Sequence, residues 1–276
     1  VFVEMERING LMSPYLPDSE LALINRDAAS KALVISEELF DLIKTAIKFS
    51  ELSDGAFDIT FASAGFLYDY RNKQRPSQSK IDQILPAINY RHIKLNDKDQ
   101  SIYFSREGVK IDLGGIAKGY AVDNTIEILK ACGVSNGMVS AGGDSRILGD
   151  RNGWPWMLGV RHPRQKDKVV VKLPLSDTAV STSGDYERFF IEDGVRYHHI
   201  ISPNTGRSVT KTWSATVIGD KAVETDALST TLFVMDTKDG LALINKLKNV
   251  DAIIIDASGV MHYSSGLMPP DETQKH

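Results

Sequence analysis

The stretch DLGGIAKGYAVD (112–123) sets an acid, two adjacent glycines, an alanine, a lysine and a third glycine at one point of the chain. The segment leading into it, GVKIDL (108–113), reads as a strand. Beyond it, Ala117, Ala121, Val122, Thr125, Ile128, Leu129 and Cys132 recur at offsets of three, four and five, which predicts a helix with Gly133 as its stop. The glycines therefore fall where a strand hands over to a helix N-terminus. That place carries unpaired N–H groups and the positive end of the helix dipole, and small residues let an anion approach the backbone. Two readings stay open on local grounds: a seat for a phosphate, or a tight turn and nothing more. The spacing matches neither GxGxxG nor the GxxxxGK of a P-loop.

The rest of the chain bounds what such a site can serve. At 276 residues, 42% hydrophobic and 25% charged, the composition is that of an ordinary globular protein, long enough for two domains or one large one. No apolar run approaches the ~18 residues of a membrane span. A net charge of −4 with no basic stripe excludes a nucleic-acid scaffold, so a bound phosphate must be held locally or through a metal. Cys132 is the single cysteine, which rules out an internal disulfide; its place on the helix face reads as a small buried hydrophobe. The opening VFVEMERINGLMS has Phe2, Met5, Ile8 and Met12 at helical spacing with no cap ahead of them, so the chain reads as beginning inside a helix, with a segment expected before it. The closing PPDETQKH is polar and reads as frayed.

Ser36 before Glu37 and Glu38 marks a helix start, with Leu39, Ile43, Ala46 and Ile47 as its apolar stripe, an end near Ser53 and Gly55 beyond it. RNKQRPSQSK (71–80) reads as a loop. From residue 154 short strands follow: WPWMLGV, KVVVKLPL, TAVSTSG, YERFFIE and VRYHHI, the last two joined by the hairpin signal Asp193-Gly194. Then come the strand TWSATVIG, the helices AVETDALSTTLFVM and DGLALINKLKN, and the hairpin DAIIIDASGVMHY. Helices and strands mix without regular βαβ alternation, which predicts an α+β fold of mixed, largely antiparallel sheets with packed helices.

Within AVETDALSTTLFVM, Asp226 and Thr230 stand four residues apart and share a helical face, with Ser229 beside them. A carboxylate and hydroxyls on one face, with backbone carbonyls and water, make the oxygen-only set that Mg²⁺ accepts. The patch Thr225, Asp226, Ser229 and Thr230 lacks the long charged residues of a solvated face, which points to an enclosed site. In VRYHHIISPNTG the strand period sends His198 and His199 to opposite faces, so at most one joins a given site, as a general base or as a hydrogen-bonded structural histidine. The Gly-Asp turns of SAGGDSR and STSGDYERFF carry no chemistry on local grounds.

In chain order, MSPYLPDSELALIN (12–25), SDGAFDIT (53–60), DLGGIAKGYAVD (112–123), SAGGD (140–144), STSGDYERFF (181–190), HIISPNTG (199–206) and TDALSTTLFVM (225–235) resemble the FAD:protein FMN transferase (ApbE) family. The resemblance implies a T-fold-related, ApbE-like flavin transferase domain over residues 1–276, lacking the family's leader and its N-terminal strand with a Met-Gly-Thr word. It implies binding of FAD and Mg²⁺, cleavage of the pyrophosphate, and transfer of FMN to a threonine or serine hydroxyl with release of AMP. By the same resemblance Asp226, Thr230 and Ser229, with the Gly115 carbonyl, hold the metal, and His199 is the catalytic base. Tyr15 packs on the flavin, Asp112 and Lys118 contact FAD, and Ala56, Phe57, Asp58 and Ile200 line its pocket. The partner implied is a flavoprotein subunit, such as that of a redox-driven ion pump, with a Ser/Thr-Gly-Ala-Thr-like motif. The location implied is the periplasm, with a lipid anchor at the inner membrane open for the precursor. One departure is Ser202, where family members carry Asp, which removes a carboxylate near the base. Two alternatives remain: an FAD pyrophosphatase in which water replaces the protein hydroxyl, and a non-catalytic flavin carrier.

Overall fold

The computed structural model describes residues 1–267; the PPDETQKH expectation lies outside the described residues. The N-terminal half is mainly helical: α1 (Phe2–Met12), α2 (Glu20–Asp27), β1 (Leu33–Val34), α3 (Glu37–Leu52), α4 (Ala62–Gly65), α5 (Gln78–Ile84), β2 (Ile93–Asn96), β3 (Ser101–Phe104) and α6 (Ala117–Ala131). The remainder runs β4 (Gly137–Ala141), β5 (Asp144–Leu148), β6 (Trp156–Arg161), β7 (Val169–Leu175), β8 (Ala179–Gly184), β9 (Phe189–Glu192), β10 (Val195–His198), β11 (Ile201–Ser202), β12 (Arg207–Ser208) and β13 (Thr212–Gly219). It closes with α7 (Ala222–Val234), α8 (Thr237–Ile244), β14 (Asp251–Asp256) and β15 (Met261–Tyr263).

A six-stranded sheet of order β15-β14-β13-β8-β5-β4, every pair antiparallel, forms the frame. This is the expected α+β class. Helix α7 lies on β13 and β8 and is covered in turn by α6, α3 and α8, so it is buried almost all round. That placement explains its composition: short hydroxyls and alanines permit close packing, while Leu228, Leu232 and Phe233 join the core with Ala215 and Val217 of β13. A second core joins α1, α2 and α3 to Phe57, Ile111, Leu113 and Ile116.

The capping signals translate directly. The Ser36 hydroxyl accepts the Leu39 N–H at 3.4 Å at the start of α3, and Gly133 ends α6 with φ +80°. Asp193 and Gly194 both take positive φ, 51° and 76°, as a type I′ hairpin requires. Helix α1 starts, as its pattern predicts, without a side-chain cap.

Three expectations are corrected. GVKIDL forms no strand: Gly108 sits in a turn with φ +82°, and the segment bonds to scattered partners instead of one neighbouring strand. Asn25 brackets Ile111 with its amide, donating to the carbonyl at 2.8 Å and accepting from the N–H at 2.7 Å, the Ser63 hydroxyl accepts the Lys110 N–H, and the Asp112 N–H donates to the Ile59 carbonyl. Cys132 is exposed, since α6 stops one residue before it and leaves it as the C-cap. RNKQRPSQSK is a loop only as far as Ser77, whose hydroxyl caps α5.

Candidate active site

Two helices meet at the glycine stretch. Gly119 of α6 faces the first turn of α7 so closely that a Cβ on it would stand 2.1 Å from the Ala222 carbonyl oxygen. One turn earlier, a Cβ on Gly115 would lie 3.2 Å from Thr230 Oγ1 and 3.2 Å from the Phe57 ring. Missing side chains thus bring the glycine loop against the polar face of α7. The Gly119 N–H donates to Asp226 Oδ2 at 3.0 Å, so the anion at this helix N-terminus is the chain's own carboxylate.

Lys118 closes the group. Its Nζ lies 2.5 Å from Asp144 Oδ2 and 3.2 Å from Asp226 Oδ1. Burial, reinforced by the charge of Asp226 and offset by Lys118, pushes the Asp144 carboxyl up to about 7, whereas the two carboxylates hold Lys118 firmly charged against its own burial. Strand β8 contributes hydroxyls to the same group: Ser183 Oγ is 2.9 Å from Ser229 Oγ and 3.2 Å from Thr230 Oγ1, and Ser181 pairs with Thr225 at 2.8 Å. The oxygens of Asp226, Thr230 and Ser183, beside the Gly115 backbone, suit a hard cation such as Mg²⁺. No cluster of three His, Cys, Asp or Glu residues able to hold a metal occurs among the described residues. The expected ligand Ser229 is buried, donates its hydroxyl to the Asp226 carbonyl at 3.0 Å and lies 2.9 Å from Ser183 Oγ.

The two histidines separate, but not by strand alternation: β10 ends at His198, and His199 lies on the bend beyond it. His198 is the structural one: its Nε2 pairs with the Val209 carbonyl at 2.6 Å, its Nδ1 accepts the Ile200 N–H, and its ring packs edge-on against Phe233. His199 has a buried Nδ1 with no partner. Burial, with His198 and Arg188 nearby, pushes it down to about 4, so it is neutral at pH 7. Asp112 accepts the Gly114 N–H at 2.6 Å, and burial raises its carboxyl while Arg188 and Lys118 oppose the shift. Tyr15 is 71% exposed and lies edge-on to Phe66; partial burial and the charge of Asp112 raise its phenol, and Arg188 opposes the shift.

Other expected contacts point inward. Asp58 accepts from the Thr60 N–H, the Thr60 hydroxyl and the Tyr90 N–H at 2.8, 2.6 and 2.7 Å, which occupies its carboxylate within the fold. Ile200 belongs to the core with Val209 and Leu232. Phe57 is buried beneath Gly115, and Ala56 is half-buried on the turn leading to it. Asp58 and Ile200 are thus buried beside the Phe57 turn and the His199 segment.

The ApbE family model matches residues 1–254. The chain belongs to the ApbE family. An FAD:protein FMN transferase from Vibrio cholerae serotype O1 is 32% identical over 276 residues, covering 96% of this chain and 81% of the relative. Another from Treponema pallidum is 31% identical, covering 97% and 79%. Among solved structures, the ApbE protein of Thermotoga maritima matches with a TM-score of 0.89 at 39% identity, covering 96% of this chain and 87% of that one. The flavin transferase ApbE from Vibrio cholerae matches with 0.84 at 29% identity, covering 96% and 86%.

Four residues of this ApbE-family chain escaped the local reading: Asp144, Ser183, Asp185 and Arg188. Asp185 is buried and grips Arg164 through two 2.6 Å bonds. A signal for Ser183 existed, since the alternation in AVSTSG puts Ser181 and Ser183 on one strand face opposite a helix already short of apolar residues there. An open cleft of about 680 Å³ is lined by Arg7, Glu38, Asp41, Thr45, Tyr120 and Val223, and so reaches the first turn of α7; its Arg7 and Tyr120 are paired with Glu38.

Proposed function

We propose that this ApbE-family chain is an FAD:protein FMN transferase dependent on Mg²⁺, transferring FMN to a serine or threonine hydroxyl within a Ser/Thr-Gly-Ala-Thr-like segment of a flavoprotein. The observation that carries the reading is the convergence of the Gly115 loop with Thr230, and of Lys118 and the Gly119 N–H with Asp226.

Asp226 and Thr230, with the Gly115 carbonyl, would hold the cation, and Ser183 stands beside Thr230 to steady it. A bound Mg²⁺ there supplies charge stabilisation to the phosphoryl oxygens. Lys118, charged and 42% exposed along its side chain, presents a second positive centre to the diphosphate. Exposed Tyr15 offers an aromatic face to the flavin. His199, neutral at pH 7, takes the proton of the acceptor hydroxyl. The hydroxyl oxygen forms the new bond to the FMN phosphorus as the bond from that phosphorus to the bridging oxygen breaks, and AMP leaves with that oxygen.

Incubation with FAD, Mg²⁺ and an acceptor domain, read by in-gel flavin fluorescence, tests this. A fluorescent acceptor supports transfer. Free FMN and AMP with a dark acceptor would make the chain a pyrophosphatase, and unchanged FAD would make it a carrier.

A further inference from the structure

We propose that Lys118 is a built-in competitor for the divalent cation and that Asp144 is its parking counter-ion: without the ion, the Lys118 ammonium bridges Asp226 and Asp144; with it, the ammonium gives up Asp226 and stays on Asp144. The inference rests on the assignment of Asp226 as a metal ligand.

The geometry carries it in three steps. First, Nζ lies 3.2 Å from Asp226 Oδ1 but 2.5 Å from Asp144 Oδ2, so the contact with Asp144 is the tighter and the one with Asp226 the easier to release. Second, both carboxylate side chains are 2% exposed, whereas that of Lys118 is 42% exposed. Two carboxylates that dry need a positive charge or a proton between them, and Lys118 is the only Lys or Arg ion-paired to either among the described residues. Third, the backbone is shaped for the parked position. Asp144 follows Gly142 and Gly143, which take φ +60° and +100°, and a Cβ on Gly142 would stand 3.3 Å from Lys118 Cδ. The glycine turn thus leaves room for the lysine stem to lie across it towards Asp144.

A cation reaching Asp226 must displace the ammonium from one of its two partners. Metal affinity of the free protein is thereby held down. A diphosphate anion, by attracting the Lys118 ammonium, relieves the competition and raises it. Because binding couplings are reciprocal, the metal strengthens nucleotide binding by the same factor. Asp144 acts here as a positioning residue through Lys118, and the glycine-rich SAGGD word gains a purpose that its local sequence does not disclose.

The test is calorimetric titration with Mn²⁺ alone, and again with ADP present, on wild type, Lys118→Met, Asp144→Asn and Asp226→Asn. Lys118→Met should bind Mn²⁺ at least tenfold more tightly than wild type without nucleotide, and its melting temperature should rise more on adding Mn²⁺. Asp144→Asn, which leaves the ammonium to Asp226 alone, should bind Mn²⁺ several-fold more weakly. In crystals soaked with Mn²⁺, Lys118 Nζ should leave Asp226 and keep Asp144. Unchanged or weaker Mn²⁺ binding in Lys118→Met, or an ammonium still on Asp226 beside bound Mn²⁺, overturns the proposal. Should Lys118→Met fail to fold, Asp144→Asn decides, and unchanged or tighter Mn²⁺ binding there overturns it. Asp226→Asn separates the two levels: if it retains wild-type Mn²⁺ binding, the ligand assignment itself fails.

Discussion

Gly115 and Thr230 lie so close that a Cβ on the glycine would stand 3.2 Å from the threonine hydroxyl oxygen, with the Phe57 ring at the same distance on its other side. A branched side chain there must push one of them. Gly115→Val is expected to lower Mn²⁺ affinity at least tenfold, because Thr230 Oγ1 is displaced, while overpacking costs about 1–3 kcal/mol of stability. Calorimetry and a thermal melt check both. Wild-type Mn²⁺ affinity in a folded variant would detach the glycine loop from the metal.

Gly119 carries a stability prediction. Its missing Cβ lets the Ala222 carbonyl approach to where a methyl would be 2.1 Å away. Gly119→Ala must separate α6 from α7 and weaken the Gly119–Asp226 bond. A loss of about 3 kcal/mol follows, or roughly 6–12 °C in melting temperature for a chain of this size. A melt within 2 °C of wild type, on the order of 1 kcal/mol or less by the same scaling, would show that the helices yield cheaply.

The two levels of legibility differ for physical reasons. Caps and hairpin turns were readable because each is a local contract: the Ser36 hydroxyl meets Leu39, and Asp193-Gly194 supplies two positive φ angles. GVKIDL misled because its alternation matches a strand, while its hydrogen-bond partners, Asn25 and Ser63, lie 86 and 47 positions away. Asp226 and Thr230 could be singled out from a polar helical face. Asp144 could not, since a Gly-Asp turn looks alike whether its carboxylate meets solvent or Lys118. The family words supplied what spacing lacked, including the choice of His199 over His198.

His199 makes the pH behaviour definite. Its folded value of about 4 lies below the ordinary 6.5, so the unfolded chain binds the proton more readily. The associated stability is complete above pH 6.5 and is lost as pH falls through about 4, with a ceiling of about 3 kcal/mol. His199→Gln should therefore lose less stability than wild type between those pH values, as measured by urea denaturation. In wild type the acid limb of kcat/KM should fall below pH 6, as expected for a base already neutral there, rather than at about 6.5.

Asp185 joins the strand β8 turn to Arg164 through two 2.6 Å bonds and lies 3.7 Å from Arg196. Asp185→Ala leaves two arginines facing each other without their anion. A cost of about 2–3 kcal/mol is expected, below that of a fully buried pair because the Arg164 side chain keeps 26% exposure. Equal urea midpoints for variant and wild type would mean that solvent replaces the carboxylate.

The decisive measurement is intact-mass spectrometry of an acceptor domain incubated with FAD, Mg²⁺ and either the wild-type chain or Asp226→Asn. Wild type should add one FMN, less one water, to a single serine or threonine and release one AMP for each, while Asp226→Asn leaves the acceptor mass unchanged. An unmodified acceptor with wild type, or a modified one with Asp226→Asn at the wild-type rate, would contradict the convergence of loop, lysine and carboxylate as the seat of transfer.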